Sequence, residues 1–215
     1  MKKFVSLSFF SLLMLVSFAQ SEKYVKAMEK LVPSIDTLWN ADQLKDLSNS
    51  FERIADAEKT QWLPYYYAAL ARVNAGYAIM MTGATGADKT DPEGNKAQEL
   101  ITKAEALSQN NSEIFIVKKL IATLMMIGDP MNRYMTYGPA AGEALETAKK
   151  LNPENPRVYL QEGADKINTP EQYGGNKEEG KKLIEEAMKK FESFKPESAI
   201  HPNWGRGQAQ YYLSK

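Results

Sequence analysis

Cysteine is absent from the 215 residues, and histidine occurs once, at His201. Without cysteine there is no disulfide, no lipid-anchored thiol and no thiolate chemistry of any kind. A single imidazole excludes a two-histidine zinc motif, and no serine sits in a strand-to-helix elbow, so the usual nucleophile and base pairs cannot be assembled. Charge of one sign is lacking too, since 27 basic residues stand against 27 acidic ones. That balance argues against nucleic acid or an anionic membrane surface as partner. Strict apolar-polar alternation, the mark of strands, is missing from Ser21 onward.

The one long apolar run stands at the beginning. Lys2 and Lys3 precede an apolar and serine-rich stretch from Phe4 to Phe18, and small residues fall at Ser17 and Ala19. This is the pattern of a cleaved export signal over residues 1–19, with Gln20 as the mature N-terminus and the rest, 20–215, as one domain. The run is short for a bilayer-spanning helix. Cleavage removes Lys2 and Lys3 and no carboxylate, which leaves 25 basic against 27 acidic residues and a net charge of −2. The expected location is therefore periplasmic or extracellular, with no membrane insertion after cleavage.

What is present is helical periodicity. Leu44, Leu47, Phe51, Ile54 and Ala55 share one face, and Asn40 with Gln43 three residues on forms a capping box at its start. The same spacing predicts helices over 41–57, 64–82, 95–108, 112–128, 139–151, 156–167, 177–194 and 203–213, with ends marked by proline and glycine. Two segments repeat. Ala97, Ile101, Ala104, Leu107, Asn111, Ile114 and Phe115 match Ala141, Leu145, Ala148, Leu151, Asn155, Val158 and Tyr159, every pair 44 residues apart. A weaker third copy places Gly180, Ile184 and Ala187 at a further offset of 39. Small residues at the first and third positions let helices approach closely, and the apolar face each hairpin leaves is covered by the next hairpin.

The order Ala141, Leu145, Ala148, Pro153, then Tyr159 and Gly163, resembles the tetratricopeptide repeat. The resemblance covers most of residues 40–195 and implies an all-α, right-handed α-α superhelix of helical hairpins. The offset of 44 exceeds the usual repeat of about 34, which implies inserted loops such as 83–94. The runs DPMNRYMTYGP (129–139), TPEQYGGNKEEG (169–180) and KPESAIHPNWG (195–205) are similar to bacterial exported tetratricopeptide-like proteins of undetermined activity.

Several motifs invite a sharper reading. GATGADKT, Gly83 to Thr90, has the spacing of a phosphate-binding loop, but Asp88 stands where the second glycine belongs and would repel phosphate. Asp88, Asp91, Glu93 and Asn95 lack the alternation of a calcium loop. The stretch reads as an acidic, solvated insertion, and no metal or cofactor site is expected. His201, in His-Pro-Asn-Trp-Gly, reads as part of a cap in which Trp204 plugs the end of the array. The Gln172 to Gly175 turn reads as structural, its glycines supplying positive dihedrals.

Two features point to binding. Tyr65, Tyr66 and Tyr67 turn through most of a helix circumference, so at least one ring leaves the core face, and Tyr66 is counted among the contact candidates. Arg133, Tyr134 and Tyr137 share the irregular connection 129–138, where arginine beside aromatics suits a carboxylate, sugar or peptide end. The bland alternative gives Arg133 to helix C-terminal carbonyls and the tyrosines to packing between hairpins. The expected function is a non-enzymatic module of the cell envelope that binds a protein or peptide through its concave side or through Arg133, Tyr134, Tyr137, Tyr66 and Trp204. The alternative is a small-molecule binding protein with a pocket inside the array.

Overall fold

The computed structural model describes residues 22–215, so the export signal expected over residues 1–19 lies outside the described residues. The described residues form α1 (Glu22–Leu31), a short 3-10 turn (Val32–Asp36), α2 (Ala41–Glu58), α3 (Trp62–Met81), α4 (Ala87–Leu107), α5 (Ser112–Gly128), α6 (Pro130–Leu151), α7 (Pro156–Asn168), a second short turn (Glu171–Tyr173), α8 (Lys177–Ser193) and α9 (Arg206–Leu213). The protein is all-α, and no strand occurs among the described residues. None of these helices is long and apolar enough to cross a membrane.

Asparagine sets the starts. Asn40, Asn111, Asn155 and Asn176 each place a side-chain oxygen on a backbone N–H of the first turn, satisfying a donor that has no partner within the helix. The two caps at the repeat-equivalent positions are alike in detail, Glu113 N donating to Asn111 Oδ1 and Arg157 N to Asn155 Oδ1, both at 3.0 Å.

Each helix packs on its sequence neighbour, and the first helices of successive hairpins, α3, α5 and α7, also touch one another. That placement explains their composition. α3 and α5 are apolar on nearly every side because they are covered from several directions, whereas α2 and α8 keep a polar face. Ala97, Ala104 and Ala148 are fully buried at the helix contacts, as the repeat predicts, but Leu107 and Leu151 are 40% and 37% exposed. In the weaker copy, Gly180, Ile184 and Ala187 are all buried. A Cβ added at Gly163 would stand 2.8 Å from the Gly180 carbonyl oxygen, so glycine at that position permits the close approach of α7 and α8.

Most of the inserted loop expected over 83–94 and of the irregular connection expected over 129–138 is helix. Residues 87–94 form the first turns of α4 and contain the internal Pro92, and residues 130–138 form the first turns of α6, ahead of the internal Pro139. Proline removes one intrahelical hydrogen bond, and read from sequence it looks like a helix start. The offset of 44 thus comes with second helices of 21 and 22 residues. At the Gln172 to Gly175 turn, Gly174 takes φ +93°. Gly175 serves otherwise, since a Cβ there would meet the Thr169 carbonyl oxygen at 1.7 Å.

Candidate functional site

After α8 the chain runs irregularly from Phe194 to Gly205 and lies across the face built by the first helices. Tyr67 Oη of α3 donates to the Ile200 carbonyl at 3.0 Å, and Trp204 Nε1 donates to Tyr66 Oη at 2.7 Å. Arg157 of α7 donates to the carbonyls of Trp204 and Pro202 at 3.1 and 3.2 Å. Gly205 N reaches Asp36 Oδ1 at 3.4 Å, which ties the segment to the N-terminal turn. Trp204, expected to cap the end of the array, instead fills the middle of this face. Tyr66, expected among exposed contacts, is completely buried; of the three tyrosines, Tyr65 is the one that stays partly exposed. The face on which a peptide partner was expected is therefore covered by the chain's own residues.

Beneath the segment lies a buried ionic cluster that the sequence reading did not single out. The Arg157 guanidinium, with no exposure, grips Glu113 through Nε and Nη2 at 2.6–3.0 Å. Asn155 Nδ2 and Tyr66 Oη also donate to Glu113, at 2.7 and 3.1 Å. The cation lies over the rings of Phe194 and Trp204, 4.8 and 5.6 Å from their centroids. Burial disfavours the Arg157 charge, but the charge and hydrogen bonds of Glu113 outweigh it and hold its pKa above the ordinary value. Burial and the nearby Glu113 carboxylate push the Tyr66 and Tyr67 phenols well above theirs. The signal was present in the sequence: Glu113 and Arg157 stand 44 residues apart, at the same position of successive repeats, and stacking makes such positions neighbours.

Between this segment and the hairpin turns runs a groove of about 420 Å³. Its lining includes Trp62 at the start of α3, residues Ser108 to Glu113 across the α4–α5 turn and the start of α5, Leu151 and Asn152 at the end of α6, and Phe194, Lys195, Pro196, Glu197, His201 and Pro202. Trp62 and Phe194 are half-buried aromatics, Lys195 is an exposed cation, and the asparagines and Ser108 give a polar rim. His201, 18% exposed, packs edge-on against Trp62 with centroids 6.2 Å apart. Its Nδ1 lies 2.8 Å from Ser198 Oγ and its Nε2 lies 3.2 Å from Glu197 Oε2. Burial lowers its pKa, against the opposing pull of Glu197 and Glu113. Such an arrangement can hold a small molecule that has a flat apolar body and polar edges.

The second group of predicted contacts lies elsewhere. Arg133, Tyr134 and Tyr137 sit on α6 and not in an irregular connection. Arg133 makes a bidentate pair with Asp91 of α4 at 2.6 and 2.7 Å and donates to the Met125 carbonyl at 3.2 Å. The hydrogen bond from Arg133 holds the Asp91 carboxyl below the usual carboxylate range. Arg133 thus bonds a carbonyl near the C-terminal end of α5, as the bland alternative has it. Tyr134 is 55% exposed, beside the exposed Met131 and Met135, and Tyr137 lines a smaller groove of about 200 Å³ between α4, α5 and α6. Of the acidic stretch, Asp91 pairs with Arg133, and Glu93 is held by Arg72 at 3.1 Å. No cluster of three or more metal-ligating side chains occurs among the described residues.

No protein-family model matches the chain, and no match was found among curated proteins. Among solved structures, the chain is similar to the HusA haemophore from Porphyromonas gingivalis, with a TM-score of 0.78 and 27% sequence identity over 90% of this chain and 92% of that one.

Proposed function

We propose that this protein is an exported, non-catalytic carrier of a small planar molecule of the haem or porphyrin class, held in the groove between Trp62, Phe194 and His201. The observation that carries the reading is the likeness to a haemophore along nine-tenths of the chain. The groove supports it independently. A volume of about 420 Å³ falls within the range of about 300–1,000 Å³ typical of ligand sites. Trp62 and Phe194 offer ring faces and edges to a flat macrocycle, and Lys195 offers a cation to its carboxylates. Small-molecule binding takes precedence over the peptide reading because residues 200–204 already occupy the face a peptide would need, accepting from Tyr67 and Arg157 and donating to Tyr66. Export through the signal at residues 1–19 belongs to the same proposal, as does descent of the hairpins from a tetratricopeptide array whose second helices have been lengthened.

Titration of the chain from Gln20 with ferric haem tests this. Binding is expected as a shifted Soret absorbance and quenching of tryptophan fluorescence at one equivalent. Trp62→Ala is expected to weaken it by about 1–3 kcal/mol, the contribution of one stacked aromatic. Unshifted absorbance throughout the titration contradicts the proposal.

A further inference from the structure

The hairpins turn over at two edges of the array. The turns before α3, α5 and α7 build the edge that carries the groove, and the turns after those helices build the opposite one. Large apolar side chains are left exposed almost entirely at the second edge. Of the ten among the described residues, only Leu107 and Leu151 stand on the groove side. Met81 ends α3, Met131, Tyr134 and Met135 occupy the first turns of α6, and Tyr173 lies in the turn between α7 and α8. Leu38 packs on the cluster of Leu44, Ala75 and Ala78, which places Trp39 beside the end of α3. Asn168, at the end of α7, donates to Tyr212 Oη at 2.9 Å and brings Tyr211 and Leu213 to the same edge. Trp39, Met131 and Met135 are 72%, 92% and 81% exposed, so they project from the body and the fold makes little use of them.

We infer that this edge adsorbs to a zwitterionic lipid surface, with Trp39, Met81, Met131, Tyr134 and Met135 entering the headgroup and upper acyl region, whatever the groove holds. Apolar side chains gathered at one place on a surface mark an interaction site. Tryptophan and tyrosine collect where lipid meets water, because an apolar ring and a polar N–H or O–H are both satisfied there. Charge points to a neutral headgroup layer. Asp42, Asp88, Asp91 and Glu179 at this edge each pair with a cation, Lys45, Lys89, Arg133 and Lys166, at 2.6–3.1 Å. Paired charges leave little net field to draw in an anionic bilayer, whose pull depends on clustered lysine and arginine. The shape of the edge separates lipid from a protein partner. Its apolar side chains rise singly from separate elements with ion pairs set among them, whereas a protein interface needs a continuous core packed at interior density. Lipid chains close around each projecting side chain independently. None of the described helices is long and apolar enough to cross the bilayer, so the contact is adsorption, and it leaves the groove at the opposite edge facing water.

The test uses the chain from Gln20, which lacks the apolar run from Phe4 to Phe18, with vesicles of phosphatidylcholine or of phosphatidylglycerol. The wild-type protein is expected to float with phosphatidylcholine vesicles at low and high salt alike, and brominated acyl chains are expected to quench its emission through Trp39. Met131→Ser combined with Met135→Ser is expected to keep the wild-type thermal midpoint and to lose about 10–100-fold in partitioning, as two thioether side chains leave the lipid. Trp39→Phe should lose the quenching. Should the double variant fold poorly, quenching in the wild type set against Trp39→Phe still decides the matter. Three results overturn the proposal: no flotation, flotation with phosphatidylglycerol alone that salt abolishes, or a folded double variant that floats as the wild type does. A concentration-dependent dimer that the double variant loses, without flotation, overturns it in favour of a second copy of this chain.

Discussion

Arg157 and Glu113 carry the largest electrostatic risk in the molecule, because a buried ion pair is favourable only while both partners are present. Each nitrogen of the Arg157 guanidinium meets an acceptor, and Glu113 receives Arg157, Asn155 and Tyr66 together. Arg157→Met is therefore expected to cost about 3–5 kcal/mol in urea denaturation, since it strands the Glu113 carboxylate and removes the anchor of the C-terminal segment. Adding Glu113→Leu to that variant should recover part of the loss, because two apolar side chains of similar volume remove the unpaired charge. A double variant as unstable as the sum of the singles contradicts this assignment. At this scale the sequence was read only in part. Apolar and small positions such as Ala104, Ala148 and Val158 were legible from spacing alone, but a charged pair buried under a later segment is visible only once the repeats are stacked. Tyr66, counted among the exposed contacts, is buried with Trp204, since their polar ends meet each other and not solvent.

The helices whose ends are set by asparagine were placed within two residues from sequence, and α5 was placed without error over 112–128. The starts of α4 and α6 were missed by eight and nine residues because Pro92 and Pro139 read as boundaries, and tertiary contacts override that signal. The contact that does so is the Arg133–Asp91 pair, which joins the added turns of the two second helices. Arg133→Ala is expected to cost about 1–3 kcal/mol by leaving Asp91 and the Met125 carbonyl without their shared donor. The effect has a pH sign. The folded pKa of Asp91 lies below its unfolded value, so the folded state binds fewer protons there. Its contribution is complete above the unfolded pKa of about 3.9 and disappears as pH falls through the folded one. Wild type and Arg133→Ala should therefore differ in thermal midpoint at neutral pH and converge in strong acid. Equal midpoints at pH 7 would show that the pair does not hold these turns.

Over the whole molecule, one buried cluster extends from Tyr24 of α1 to Trp204, so the C-terminal segment belongs to the core and not to a detachable tail. That arrangement turns an array of hairpins into a body with a closed inner face and a groove along its turn side. The all-helical repeat architecture was legible in the spacing of apolar and small residues. The covering of the inner face was not, because residues 194–205 carry no periodicity and are positioned by contacts far away in sequence. The groove inherits that difficulty, since it is assembled from five separated stretches, and His201 gained meaning only when the fold set it beside Trp62. Backbone hydrogen exchange of the chain from Gln20, with and without one equivalent of ferric haem, tests the central claim most directly. Slowed exchange concentrated in residues 108–113, 151–152 and 194–202 is the predicted result. Protection confined to the groove of α4, α5 and α6 around Gln98, Ile121 and Tyr137, or no change anywhere, would contradict it.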